Sequence, residues 1–410
     1  MPGVRSSARR YGVTAQGGWG VVGRGLAHTC SWVTGQGLPA RPIRQLWEAP
    51  VFTERTSVGL DVHARSVAAA AIDGVTGELV QTRLTPSHDH IRSWLASVPG
   101  PVAVAYEAGP TGFGLYRALS QAGVRCVVAA PSKLQRPSGS RVKTDARDAV
   151  HLARLLRLDE ITPVSVPTPD QEAARDLVRA REDCRGDLMR ARHRLSKLLL
   201  RHGIVYFDGQ AWTGAHDAWL RRLRFTSPAV RMAFESDYET VLTVKARRDR
   251  LDKAITAMAA DSEFTGLVRR LGCLRGVSIL TGFALAVELG DWHRFTGRTI
   301  GSFVGLVPSE SSSGASRVLG SITKTGNTHA RRLLVEAAWH HRARYRPGKT
   351  LRDRWELAPP AARARGDAGN CRLHDRWVGF NLRRKRPVIA NVAVARELAG
   401  WCWSLAVMDD

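Results

Sequence analysis

Apolar and polar positions change rhythm three times along the chain. Between residues 56 and 129, short apolar runs at 57–60, 66–72, 78–84, 102–106 and 124–129 are broken by turn residues such as Gly74 and Gly77, and by helical patterns at 88–97 and 112–122. Runs of that length bounded by turns read as strands, and their alternation with helices predicts an α/β sheet domain over 56–165. Pro163, Pro167 and Pro169 then punctuate the chain, and two long helical patterns follow at 171–202 and 229–260. They predict a helical, coiled-coil linker or assembly region over 166–265, its two helices running antiparallel.

A mainly α-helical C-terminal domain is expected over 266–410, from an apolar helix at 279–289, an amphipathic one at 330–342 and an apolar one at 388–407. Between the first two lies the Gly/Ser-rich stretch 308–326, too polar for a core and read as a loop of the kind that carries function. At the other end, the first fifty residues hold nine Gly, six Arg and the single acid Glu48. Residues 1–55 therefore read as a disordered basic extension, either a leader outside the working protein or an arm that touches nucleic acid.

Charge narrows the function class. Lys and Arg number 61 against 37 Asp and Glu, a formal charge of +24 over 410 residues. That balance is too basic for an ordinary metabolic enzyme and points to a polyanion. The cations are spread over the whole chain and form no single membrane anchor, so nucleic acid is favoured and no membrane partner is expected. Arg190, Arg194, Lys197 and Arg201 step by four, three and four onto one helix face, with Leu188, Leu195 and Leu199 on another. The cationic face reads either as phosphate contact or as a solvated surface. No apolar stretch of about 18 residues and no signal sequence is present, so a soluble, cytoplasmic, nucleoid-associated protein is expected. The six cysteines (Cys30, Cys126, Cys184, Cys273, Cys371 and Cys402) stand apart with no C-x-x-C pair, and all are expected to be reduced.

Four carboxylates carry the candidate chemistry. Asp61 and Glu107 each end an apolar strand, where ligands bind in open α/β sheets. Asp145 and Asp148 lie three apart at the start of a helix and share a face. Each alone reads as a cap or ion-pair partner; converging, they would make a hard oxygen site for Mg²⁺ or Mn²⁺, with two ions suited to phosphodiester displacement. His63 reads as a structural histidine beside that site. Trp339, Trp401 and Trp403 read as helix packing rather than base-stacking platforms.

The segments Val58-Gly-Leu-Asp-Val-His63, Tyr106-Glu-Ala-Gly-Pro-Thr-Gly112 and Lys143-Thr-Asp-Ala-Arg-Asp-Ala149 resemble the acidic motifs of the IS110-type transposases. Phe303-Val-Gly-Leu-Val-Pro308, Ser313-Gly314 and Gly320-Ser-Ile-Thr-Lys-Thr-Gly-Asn327 are similar to that family's C-terminal transposase domain, so the resemblance runs over 56–410. It implies an RNase H-like (RuvC-like) N-terminal fold, with Asp61, Glu107, Asp145 and Asp148 as catalytic metal ligands. It also implies a serine that becomes transiently linked to DNA. The family's serine directly precedes glycine and stands five after the proline, which selects Ser313; a one-residue shift would select Ser312. The serine would be activated by metals of the acidic domain, of the same or another subunit. Lys324, Asn327, Arg331 and Arg332 follow closely and could hold phosphate, or form a polar helix face.

Further implications of the resemblance are double-stranded DNA at element ends and target, a structured guide RNA encoded by the element, and a homo-oligomer, dimer or tetramer. The nearest alternative is a RuvC-like nuclease that resolves branched DNA with the carboxylates alone. An ATP-binding fold of the actin/sugar-kinase type would need phosphate-cradling glycine turns, for which only 109–114 offers a weak candidate. A catalytically inert nucleic-acid-binding protein is opposed by the intact carboxylates and serine.

Overall fold

A computed structural model of the chain describes residues 54–134, 144–314 and 316–409. The basic extension lies outside the described residues except at its last two positions, and Lys143 of the third acidic motif is outside them too. The described residues form two compact units, divided between Pro163 and Val164.

The first unit is built on a mixed five-stranded sheet. Its elements are β1 (Thr56–Val62), β2 (Val67–Asp73), β3 (Leu79–Leu84), α1 (His88–Ser97), β4 (Val102–Glu107), α2 (Gly114–Gln121), β5 (Arg125–Ala129) and α3 (Asp145–Arg157). The strand order is β3-β2-β1-β4-β5. The first three strands form an antiparallel meander, and β4 and β5 run parallel to β1. Short connections make the meander, whereas each parallel step needs a helical crossover, supplied by α1 and α2.

Small side chains decide where α3 packs. Gly59 of β1 is paired with Ala70 on one side and Ala105 on the other. Ala68 and Ala70 pack with Ala149 of α3, and Ala103 and Ala105 pack with Leu156. This alanine and glycine floor lets α3 lie unusually close to the sheet: a Cβ on Gly59 would overlap the Ala149 carbonyl oxygen and lie 2.5 Å from the Ala153 amide nitrogen. Thr144 caps α3 through its hydroxyl, which accepts from the Arg147 amide.

The second unit is mainly helical, with α4 (Pro169–Arg201), α5 (Gly214–Leu220), α6 (Pro228–Ala260), α7 (Thr265–Leu271), α8 (Ile279–Leu289), α9 (Thr299–Phe303), β6 (Pro308–Ser313), β7 (Ser316–Ile322), α10 (Thr328–Ala338), α11 (Lys349–Trp355), α12 (Pro360–Leu382) and α13 (Pro387–Ala406). The pairs Arg181–Asp252 and Arg194–Asp237 show α4 and α6 running antiparallel. Leu188, Leu195 and Leu199 pack with Phe234, Val241 and Val244 between them. A larger core gathers α7 to α10, α12 and α13 around Trp377, Leu398 and Leu285, with Trp339 beside Trp377.

Two stretches differ from expectation. Residues 308–326 are not an irregular loop: most of them form the β6–β7 antiparallel hairpin, paired from Pro308↔Ile322 to Ser313↔Ser316 with one irregularity between Pro308 and Glu310. Both its faces are largely exposed, so the alternation that marks a half-buried strand is missing. Helix α12 was not anticipated, because Gly366 and Gly369 interrupt its pattern. Those glycines instead let it approach Cys273 and Trp401, where added Cβ atoms would fall 2.5 and 2.9 Å away. The five described cysteines are free thiols, and no helix among the described residues is long and apolar enough to cross a membrane.

Candidate active site

Strand register assembles the acidic site. Asp61 pairs with Ala68, and Ala68 pairs with Arg83, so the three form one row across β1, β2 and β3. On the other side, Leu60 is paired with Tyr106, and Asp61 and Glu107 are the next residues of the two parallel strands, so both carboxylates belong to the same end of the sheet. Asp61 lies two residues after Gly59 and shares its face, the one covered by α3. Helix α3 begins at Asp145, so its first turn sits over the end of β1.

The outcome is a tight group of three. Ligand atoms of Asp61, His63 and Asp145 lie within 4.8 Å of one another. His63 Nε2 is 3.3 Å from Asp61 Oδ2 and 3.7 Å from Asp145 Oδ1. Glu107 and Asp148 stand outside this group. Glu107 is half-buried at its strand end, and Asp148 sits one turn further along α3, still close enough to act on Asp61. Burial pushes the Asp61 carboxyl above its ordinary range; His63 opposes that rise, and the like charges of Asp145 and Asp148 add to it.

Arg83, which sequence reasoning did not single out, donates from its guanidinium to Asp145 Oδ2 at 3.3 Å. It is 62 positions away in the chain, and only the strand order, with small Ala68 between, lets it reach. The arrangement offers two carboxylates and an imidazole at one point, with a third carboxylate alongside and a cation at the rim.

In the second unit the serines occupy the hairpin tip. Ser313 is the last residue of β6 and is followed by Gly314 at φ +56°, a left-handed conformation suited to glycine. Ser312 and Ser313 point to opposite faces of the strand. The Ser312 hydroxyl donates to Glu310 Oε1 at 2.7 Å, and Glu310 is itself held by both Nε and Nη2 of Arg317 at 3.0 Å. The Ser313 hydroxyl is exposed and has no hydrogen-bond partner among the described residues.

The base of the hairpin is fixed by backbone crossing. The amide of Lys324, at φ +56°, donates to the Gly305 carbonyl, and a Cβ on Gly326 would overlap the Phe303 carbonyl oxygen. Asn327 caps α10 by accepting from the Ala330 amide, while its Nδ2 donates to Glu288 Oε2 at 2.8 Å. Glu288, also not singled out from sequence, is almost wholly buried at the end of α8 and further accepts both Arg179 nitrogens, at 3.1 and 3.0 Å, and pairs with His329 Nδ1 at 3.1 Å. Burial alone would raise its carboxyl; the bonds from His329, Arg179 and Asn327 outweigh burial and hold it near about 2.

The cationic candidates divide. Arg332 is paired with Glu182 and Glu336, and Arg331 donates to the carbonyls of Val304 and Thr325. Arg190 is paired with Asp187 and Arg194 with Asp237. Lys197, Arg201 and Lys324 are exposed, without a carboxylate partner among the described residues.

Comparison with known proteins agrees with both units. A model for the IS110 DEDD transposase domain matches residues 58–204, and one for the IS116/IS110/IS902 transposase family matches residues 268–356. The chain is 37% identical over 355 residues to the Sinorhizobium fredii chain y4qE, a transposase by name, covering 85% of this chain and 88% of that one. It is 31% identical over 344 residues to the transposase for insertion sequence element IS1533 of Leptospira borgpetersenii (80% and 97% covered), and 24% identical over 351 residues to that for IS1328 of Yersinia enterocolitica (85% and 96%). Two family domains in order on one chain, with relatives aligned along nearly their full length, make this chain a member of the IS110 family of insertion-sequence transposases.

Proposed function

We propose that this transposase cleaves and rejoins DNA through a divalent metal site on an RNase H-like, RuvC-type sheet and a transient bond between DNA and Ser313. The observation that carries the reading is the meeting of Asp61, His63 and Asp145 at the end of β1, with Glu107 closing the adjacent strand β4. The strand order β3-β2-β1-β4-β5, with one antiparallel meander and two parallel additions, supports the RNase H-like assignment.

The donor set fits the metal. Carboxylate oxygens of Asp61 and Asp145, with Glu107 and Asp148 within one strand step or one helical turn, suit Mg²⁺ or Mn²⁺, and His63 favours the latter. A bound cation there would neutralise phosphate charge and ease deprotonation of the attacking oxygen. The Ser313 hydroxyl gives up its proton and bonds to the scissile phosphorus while the bond to one DNA oxygen breaks. That oxygen takes up a proton and leaves as a free hydroxyl. Rejoining reverses the step with a new DNA hydroxyl, so the phosphodiester energy is conserved and no nucleotide cofactor is consumed. Asn327 and Glu288 hold the base of the hairpin that presents Ser313.

Element ends and target are the DNA partners in this reading, and an element-encoded RNA supplies the sequence choice. The +24 charge and the family resemblance support that RNA. A homo-oligomer brings together the several sites that strand exchange requires.

Excision in cells carrying the gene with its native flanks tests the reading, by PCR across the circular junction. Junctions from wild type and none from Ser313→Ala or Asp145→Ala are expected. Junctions that persist in Ser313→Ala but not in Asp145→Ala would overturn the serine step and favour a nuclease working through the carboxylates alone.

A further inference from the structure

A cleft of about 470 Å³ opens in the second unit between the turn before α9, helix α12 and helix α13. Among the described residues four arginines line it, Arg298, Arg365, Arg376 and Arg396, against the one carboxylate of Glu397. That carboxylate is already engaged by Arg372 at 2.9 Å and Arg376 at 3.2 Å. Arg298 and Arg396 are exposed and have no carboxylate partner among the described residues.

The rest of the lining is aromatic and low-walled. The Arg365 guanidinium carbon stands 4.4 Å over the Trp401 ring centre, and its Nε donates to Ser404 Oγ at 3.0 Å, which fixes the cation over the indole. Gly297 and Gly301 keep the wall low: Cβ atoms there would come within 3.3 Å of Trp403 and 3.0 Å of Arg396. Trp403 lines the same cleft, and its buried Nε1–H meets no acceptor among the described residues. A buried donor without an acceptor is costly, and one that lines a cleft can be completed by an oxygen of whatever the cleft holds.

We propose that this cleft holds one unpaired nucleotide of a nucleic-acid strand. Phosphate oxygens engage Arg298 and Arg396, the base stacks on the Arg365–Trp401 layer, and the Trp403 N–H reaches a base or phosphate oxygen. A cleft of this size admits a single nucleotide and not a duplex. Val307, at its edge, leads directly into β6. The five steps of that strand put Ser313 about 17 Å from Pro308, at roughly 3.4 Å per residue. A strand held in the cleft is thus anchored a few nucleotides from the serine. The proposal rests on the reading of the chain as a nucleic-acid strand-transfer enzyme. It adds the place where an unpaired segment, of DNA or of RNA, is gripped.

The full chain is titrated with a 12-nucleotide single strand carrying 2-aminopurine, as DNA and as RNA of the same sequence, and with the corresponding DNA duplex. Anisotropy is followed between 50 and 200 mM salt, as probe conditions spanning roughly one decade of expected affinity change. Arg298→Ala/Arg396→Ala is expected to weaken single-strand binding about tenfold and to reduce the salt slope by about 1.4, two contacts at about 0.7 each, with duplex binding unchanged. Trp403→Phe, which keeps an aromatic ring but removes the N–H, is expected to retain the slope and lose part of the 2-aminopurine response. Whichever strand shows the loss is the source; loss with both shows that the backbone common to them is read. Unchanged single-strand affinity and slope, or an equal loss on the duplex, would overturn the proposal while leaving the catalytic reading intact. Wild type that binds neither single strand nor duplex would overturn both. Circular dichroism confirms that each variant is folded.

Discussion

Gly59 and Ala149 meet backbone to backbone: no Cβ fits on Gly59, because it would overlap the Ala149 carbonyl oxygen. The contact sets the height of α3 above the sheet, and with it the distance from Asp145 to Asp61. Gly59→Ala must push α3 outward, and overpacking of this kind costs about 1–3 kcal/mol. The variant is expected to fold with a lower urea midpoint and to lose excision. Wild-type excision from Gly59→Ala would show that α3 can shift without disturbing the site.

The carboxylates at the end of β1 repel one another until a cation joins them. Wild type is therefore expected to gain thermal stability on addition of Mg²⁺ or Mn²⁺, by about 2.7 kcal/mol at a hundredfold excess over the dissociation constant. Asp61→Asn and Asp145→Asn are expected to lose that response. Without metal, Asp61→Asn is expected to melt about 1–2 °C above wild type, since it removes a half-buried charge facing Asp145 and Asp148. Differential scanning fluorimetry reads both effects, and a wild type indifferent to both metals would count against the site.

Much of this geometry is legible in the sequence, for reasons that also define what is not. The strands announce themselves as apolar runs ended by turn residues, and Asp61 at a strand end and Asp145 in a helix's first turn are positions that local pattern can locate. Arg83 is different. Its approach to Asp145 follows from the row Asp61–Ala68–Arg83, which exists only once three strands are in register. The β6–β7 hairpin is hidden because polar residues cover both its faces, so nothing alternates. Glu288 does carry a local signal: it is the one acid in the apolar run Ile279–Leu289, and an acid there must be buried and partnered.

Glu288 couples α4, α8 and the start of α10, through Arg179 and Asn327. Glu288→Gln keeps the shape but removes the charge that Arg179 and His329 answer. Breaking a buried pair costs about 3–5 kcal/mol, and the half-exposed Arg179, which can return to water, brings the expected loss to about 2–3 kcal/mol. The carboxyl is held down at about 2, below its ordinary 4.5. Its contribution is thus present above about pH 4.5 and is lost as pH falls toward about 2. The urea midpoint of wild type is expected to fall more steeply over that interval than that of Glu288→Gln. Parallel pH profiles would show that the network does not hold the carboxylate ionised.

Ser312 and Ser313 are adjacent at the hairpin tip yet differ in what holds them. Ser312 donates to Glu310, which Arg317 in turn fixes, so its hydroxyl is committed to a carboxylate on its own face. Ser313 lies on the opposite face with its hydroxyl exposed, next to the left-handed Gly314 that turns the chain. A nucleophile must be able to approach phosphorus, and an oxygen already hydrogen-bonded beside an anion is poorly placed to meet phosphate. Incubation with end-labelled element DNA, followed by denaturing electrophoresis, is expected to reveal a protein–DNA adduct with wild type and with Ser312→Ala, and none with Ser313→Ala. All three proteins should share one melting temperature within about 1 °C, because exposed serines at a turn carry little stability. An adduct that disappears with Ser312→Ala and survives in Ser313→Ala would move the nucleophile one residue along β6. Glu310, 2.7 Å from the Ser312 hydroxyl, would then stand as the group that takes its proton.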